Sequence, residues 1–305
     1  MKKILKIFGT VILAMIAAVI IMGFINSRKP VVEKNYQEKT QTGGEIEAYY
    51  LKDGPYETAC REYKAEDPLK KIGIRYPKEM ETSEKRYPVI VYGNGSGVKG
   101  FTVKYLLDHY ASWGFIVIDS EDTGTWSGAS ADQTLTFLLK ENENAESIFF
   151  QHIDKENIGI TGHSQGGVCV FNAVTVQSNA SLYKTAVPIS PMAQDLAIAL
   201  NWPFDPSKVN IPVLLLAGDG EADANTVIPI EKMKSMYEQM NVPKTMARKH
   251  GTDHDLSDSD MDGYVTAWMM WQLQGDEYAA QAFAGEYPEL MNNPLYIDQS
   301  SNPGE

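Results

Sequence analysis

Asn157-Ile158-Gly159-Ile160-Thr161-Gly162-His163-Ser164-Gln165-Gly166-Gly167-Val168-Cys169-Val170 reads as a short β-branched run, a Gly-x-Ser-x-Gly turn, and small and apolar residues able to open a helix. That order of strand, turn and helix describes a nucleophile elbow, a reversal tight enough to hold a serine in a strained conformation with its hydroxyl exposed. Glycines at 162 and 166 fit the reversal, because a larger side chain there would meet the neighbouring strand and helix. The backbone N–H of Gln165, at the helix start, then points to where an oxyanion would form. The competing reading is an ordinary glycine-rich turn, so the neighbouring segments must supply the rest of a site.

They continue the same rhythm. Upstream, Pro88-Val89-Ile90-Val91-Tyr92 is an apolar run ending in Gly93-Asn94-Gly95-Ser96-Gly97, a buried strand feeding a glycine-rich loop. Val103–Trp113 has helical spacing, Gly114–Asp119 reads as a second buried strand, and Ala131–Lys140 as a helix. Downstream, Thr185–Ile189 and Pro212–Ala217 read as strands, Ile230–Gln239 as a helix, Thr245–Lys249 as a last strand and Tyr264–Gln274 as a last helix. Alternation in Glu45–Leu51 and the run Lys71–Tyr76 predict two leading strands. Strands apolar throughout, separated by helices, predict an α/β fold with a mostly parallel central sheet covered on both faces. Ligands of such sheets gather at the carboxyl ends of the strands. The elbow, the 93–97 loop and the segments after Leu216 and Lys249 all fall there.

Composition narrows the function classes. The 305 residues are 43% hydrophobic, enough for one large core. Lys plus Arg number 27 against 40 Asp plus Glu, a net charge of −13 that disfavours nucleic acid and electrostatic adhesion of the body to an anionic membrane. Lys2, Lys3 and Lys6 precede an uncharged run from Ile7 to Ile25, about 19 residues and just long enough to span a bilayer as a helix. Residues 1–25 are therefore expected to be a transmembrane anchor with the rest of the chain outside the cytoplasm, or else a signal segment, cleaved to leave a secreted protein. Residues 26–44, polar with Pro30 and Gly43-Gly44, read as a flexible tether, and residues 45–305 as one α/β domain.

A serine hydroxyl at neutral pH needs a base, and the base needs an orienting acid. Of the five histidines, His254 in Gly251-Thr252-Asp253-His254 sits on a loop past the last core strand and suits the base; His250 is expected to end that strand and pack. After the strand ending at Ala217, Gly218-Asp219-Gly220-Glu221-Ala222-Asp223 offers Asp223 as the acid, with Asp219 as its rival. The chain order Ser164, Asp223, His254 is that of one serine hydrolase fold. The second oxyanion donor is expected to be the backbone N–H of Ser96, beside that of Gln165. Asp258-x-Asp260-x-Asp262-Gly263 copies half a calcium loop, but its twelfth position is Met269. The aspartates read better as helix caps.

On Gly54-Pro55-Tyr56, Val89–Gly95, Gly162–Gly167, Pro188-Ile189-Ser190-Pro191 and Gly251–His254, the segment from about Gly44 to Gln274 resembles the α/β-hydrolase superfamily. Within it the chain is most similar to the chlorophyllase-like, dienelactone-hydrolase-like and polyester-hydrolase (cutinase-like) group. It departs from that pattern at Asn94, where a histidine often precedes the glycine, and in a longer acid loop. The resemblance implies an α/β-hydrolase fold and cleavage of small or lipid-like carboxylic esters by a serine esterase, with no metal or cofactor. It also implies that Trp126 and Met192 line the acyl pocket. Acyl transfer or amide cleavage by the same residues, or a surface binding protein on the same fold, are the alternatives.

Overall fold

A computed structural model describes residues 30–302. Among them nine strands form one sheet in the order β1-β2-β4-β3-β5-β6-β7-β8-β9. They are β1 Thr58–Lys64, β2 Lys71–Pro77, β3 Tyr87–Gly93, β4 Ile116–Ser120, β5 Ile153–His163, β6 Tyr183–Ile189, β7 Val213–Gly218, β8 Lys244–Lys249 and β9 Tyr296–Asn302. Strands β3 to β8 are parallel, while β1, β2 and β9 join as antiparallel pairs at the two edges. The principal helices are α1 Tyr36–Lys39, α2 Glu45–Tyr50, α3 Lys104–Ser112, α4 Ala129–Glu141, α5 Gln165–Thr175, α6 Gln194–Ala199, α7 Ile230–Gln239 and α8 Asp262–Gln274.

Side chains alternate across a strand, so each core strand feeds two cores. Val89 and Val91 of β3 pack with Leu135 of α4, Phe171 of α5 and Met233 of α7. Ile90 and Tyr92 face the other way, toward Tyr50 of α2, Leu107 of α3 and Trp268 of α8. Both faces of the sheet are therefore dry, which is why its strands read as unbroken apolar runs. This layered α/β architecture fits an α/β hydrolase.

Several expectations are corrected. Glu45–Leu51 is not a strand: Glu45–Tyr50 is helix α2. Its alternating apolar residues also satisfy an i, i+4 pattern through Ile46 and Tyr50. The Glu289 carboxylate settles the choice from 240-odd residues away, accepting from the N–H groups of Ile46 (2.8 Å) and Glu47 (2.9 Å) at the helix start. Edge strands β1 and β9 were not expected, because a polar strand exposed on one side carries no apolar run.

The tether reading fails for residues 30–44, which lie against the body. Val32 and Tyr36 are buried, Val31 N–H donates to Thr102 O at 2.7 Å, and the Tyr36 hydroxyl donates to Asp262 Oδ2 at 2.6 Å. The anchor reading of residues 1–25 lies outside the described residues. Among those described, no helix is long and apolar enough to cross a membrane.

Candidate active site

Ser164 stands between β5 and α5 with φ 59° and ψ −119°, a conformation that costs a non-glycine residue about 1–3 kcal/mol. Backbone bonds enforce it: Ser164 N–H donates to Ile189 O at 2.9 Å and Gly167 N–H to Ser164 O at 2.9 Å. The turn is also closely packed. A Cβ on Gly162 would sit 2.6 Å from Gly93 O and 2.7 Å from Gly166 O, so any side chain there would push β3 and α5 off the elbow.

Beyond β8, the chain turns through Gly251 at φ 76° and brings His254 back over the sheet edge. His254 Nε2 lies 3.0 Å from Ser164 Oγ and its Nδ1 lies 2.6 Å from Asp223 Oδ1. Asp223, on the π-helical turn Asp223–Val227 after β7, is fully buried. Its other oxygen, Oδ2, accepts from Ser190 Oγ at 2.7 Å, Gly218 N–H at 3.1 Å and Ser257 Oγ at 3.4 Å. These donors fix the orientation of the carboxylate, leaving Oδ1 for the imidazole. Ser190 and Ser257 had not been expected in the site. Only Ser190 carried a local signal, lying between a strand end and Pro191.

The rival acid is elsewhere. Asp219 receives the Gly251 N–H at 2.5 Å and pairs with His250 Nδ1 at 2.7 Å. His250 does not pack as expected: its side chain is 71% exposed. This pair laces the acid loop to the histidine loop, 31 residues later in the chain. His163, inside the elbow, lies against His254 with ring centroids 4.5 Å apart. Burial, and then the neighbouring His254, hold its pKa down to about 3, so the ring is neutral at physiological pH. The aspartates at 258, 260 and 262 lie in the first turns of their helices but make no side-chain cap hydrogen bond. Asp258 accepts from the Tyr92 hydroxyl, Asp260 from Thr252 Oγ1 at 3.1 Å, and Asp262 lies 2.9 Å from His109 Nδ1. Among the described residues no group of three His, Cys, Asp or Glu side chains is arranged to hold a metal.

The 94–97 loop leaves β3 beside the elbow, because Gly93 pairs with Gly162 in the sheet. Asn94 is buried and Ser96 exposed in this loop. Gln165 is buried at the first position of α5. Trp126, in the 3-10 turn Thr125–Ser127, and Met192, after β6, are both partly buried against the first core.

A family model described as PET hydrolase-like matches residues 45–299. The chain belongs to the PET hydrolase-like family. Cutinase 1 of Thermobifida cellulosilytica is 25% identical over 211 residues, which cover 67% of this chain and 73% of that one. A cutinase of Thermobifida fusca is likewise 25% identical over 211 residues, covering 67% of this chain and 64% of its own. Bis(hydroxyethyl) terephthalate hydrolase of Streptomyces coelicolor is 27% identical over 224 residues, 71% of this chain and 65% of that one. This PET hydrolase-like chain is a carboxylic ester hydrolase.

Proposed function

We propose that the protein cleaves carboxylic esters through an acyl-enzyme on Ser164. Ser164 Oγ attacks the ester carbonyl while His254 Nε2 takes its proton. Asp223 holds the Nδ1–H of His254 and stabilises the imidazolium that forms. The backbone N–H groups of Ser96 and Gln165 receive the oxyanion, each donor worth about 3 kcal/mol in comparable sites. The alcohol leaves with the proton from His254. Water, deprotonated by the same imidazole, then attacks the acyl-enzyme and frees the acid and Ser164. No cofactor enters this sequence.

The observation that carries this reading is the unbroken hydrogen-bonded series from Ser164 Oγ through His254 to Asp223. A binding protein on the same fold has no use for a strained serine aimed at an imidazole. Trp126 and Met192 are taken to line the acyl side of the cleft. Given what the relatives are named for, short polyester fragments such as bis(hydroxyethyl) terephthalate are the substrates to try first. The basic and uncharged stretch over residues 1–25 is taken to deliver the domain to the outer side of a membrane, as an anchor or a cleaved signal. Ser164→Ala tests the core of the proposal. It should abolish hydrolysis of p-nitrophenyl butyrate and of bis(hydroxyethyl) terephthalate, and labelling by a fluorophosphonate. Retained turnover or labelling would overturn it.

A further inference from the structure

We infer that Thr125 is a positioning residue that holds both halves of the oxyanion hole in register, an assignment resting on the Ser96 and Gln165 donors proposed above. Those two donors come from different elements, the loop after β3 and the start of α5, which follow the ends of the paired strands β3 and β5. Each is tied to the same piece of chain, residues 120–125, which begins at the end of β4.

On the Ser96 side, Asn94 is fully buried, and both hydrogens of its amide are committed, to Ser120 O at 2.7 Å and to Asp122 O at 2.9 Å. The Asn94 carbonyl accepts from Thr125 Oγ1 at 2.6 Å, and Gly97 N–H donates to Thr123 O at 3.3 Å. Four bonds thus hold residues 94 and 97, on either side of Ser96. On the other side, Gln165 is buried and its Oε1 accepts the Thr125 N–H at 2.8 Å. Thr125, only 2% exposed, therefore touches both segments at once, its hydroxyl on one and its backbone on the other.

The consequence is geometric. Oxyanion donors act only when they meet the transition-state oxygen within a few tenths of an ångström, and misplacement by about 1 Å costs on the order of a hundredfold in rate. Neither donor is fixed by its own element alone: Ser96 sits in an exposed loop, and the first N–H groups of a helix have no partner within the helix. The Thr125 brace supplies a constraint that links the two. It also explains asparagine at 94, since a two-donor amide spans both the Ser120 and the Asp122 carbonyls.

Thr125→Val removes the hydroxyl with almost no change of volume, and Thr125→Ser keeps it. With p-nitrophenyl butyrate, Thr125→Val should lower kcat about ten- to hundredfold and leave KM within about threefold, and Thr125→Ser should restore kcat to within about threefold of the parent. Gln165→Leu, which loses the acceptor of the Thr125 N–H, should lower kcat likewise, and it decides the matter should Thr125→Val fail to fold. Parental kcat in both Thr125→Val and Gln165→Leu, or a Thr125→Ser as impaired as Thr125→Val, would overturn the inference. Fluorophosphonate labelling of the parent separates the two levels. Labelling at Ser164 with a Thr125→Val of parental kcat sinks the brace alone, and absence of labelling sinks the brace together with the esterase reading.

Discussion

Replacing Asp223 by alanine, with Asp219→Ala as its partner, puts the greatest weight on the proposed chemistry. Both carboxylates follow β7 and both pair with a histidine of the loop after β8, so only geometry separates them. Asp223 Oδ1 lies 2.6 Å from Nδ1 of the imidazole that faces Ser164, and its side chain is fully buried. Asp219 pairs with His250, whose side chain is 71% exposed. Removing an orienting acid of the first kind frees the imidazole to take the wrong tautomer and leaves the imidazolium unstabilised. In other serine hydrolases that loss is roughly ten-thousand-fold in kcat, about 5.5 kcal/mol of transition-state stabilisation. Removing one partner of such a rim contact costs about 0–1 kcal/mol, and even with the Gly251 N–H left without its acceptor the Asp219 variant should lose less than about tenfold. Initial rates on p-nitrophenyl butyrate across a range of concentrations give kcat and KM separately. KM should change little in either variant, since neither side chain reaches the ester. An Asp223→Ala enzyme keeping a tenth of the parental kcat, or an Asp219→Ala enzyme falling as far, would refute the assignment of the acid.

Three further outcomes concern stability and rest on buried groups. Tyr36→Phe removes a hydroxyl that donates to the buried Asp262 and should cost about 1.5–3 kcal/mol; a chain begun at Gly43 should lose more, because it also gives up the buried Val32. Unfolding in urea checks both, and an unchanged midpoint in the truncated chain would show that residues 30–42 contribute nothing. Asp258 has its pKa pushed up to about 7 by burial, against the pull of the Tyr92 hydroxyl and with Asp262 adding to the rise. A carboxyl raised in the folded state favours folding while protonated, so that contribution is full below the ordinary carboxylate range near pH 4 and is lost as pH climbs to about 7. The loss is at most about 4 kcal/mol. Asp258→Asn should therefore show a flatter melting temperature than the parent between pH 5 and 8, measured by thermal melts; parallel profiles would contradict this.

Much of the site was legible because its parts are local. A strand, a Gly-x-Ser-x-Gly turn and a helix over 157–170 need only adjacent residues to specify an elbow. Apolar strands alternating with helices place loops at one sheet edge whatever the details of packing. Elsewhere a distant partner chooses among local options. Glu45–Tyr50 fits helix or strand until Glu289 caps it. Ser190 and Ser257 join the site only because β6 and the segment after His254 both end against Asp223.

The amino-acid order by itself determined the sheet's parallel core, the serine at its elbow, and a histidine and carboxylates on later loops, since periodicity and turn chemistry act over a few residues. Folding alone decided which carboxylate meets which histidine. Asp219 and Asp223 are four positions apart on one turn, and their roles separate only when the acid loop docks on the loop after β8, with Gly220 N–H on Thr252 O at 2.9 Å. The same docking leaves one aspartate dry against His254 and the other at the rim with His250. Hydrogen-bond direction and burial are properties of the assembled layers, and no short stretch of sequence carries them.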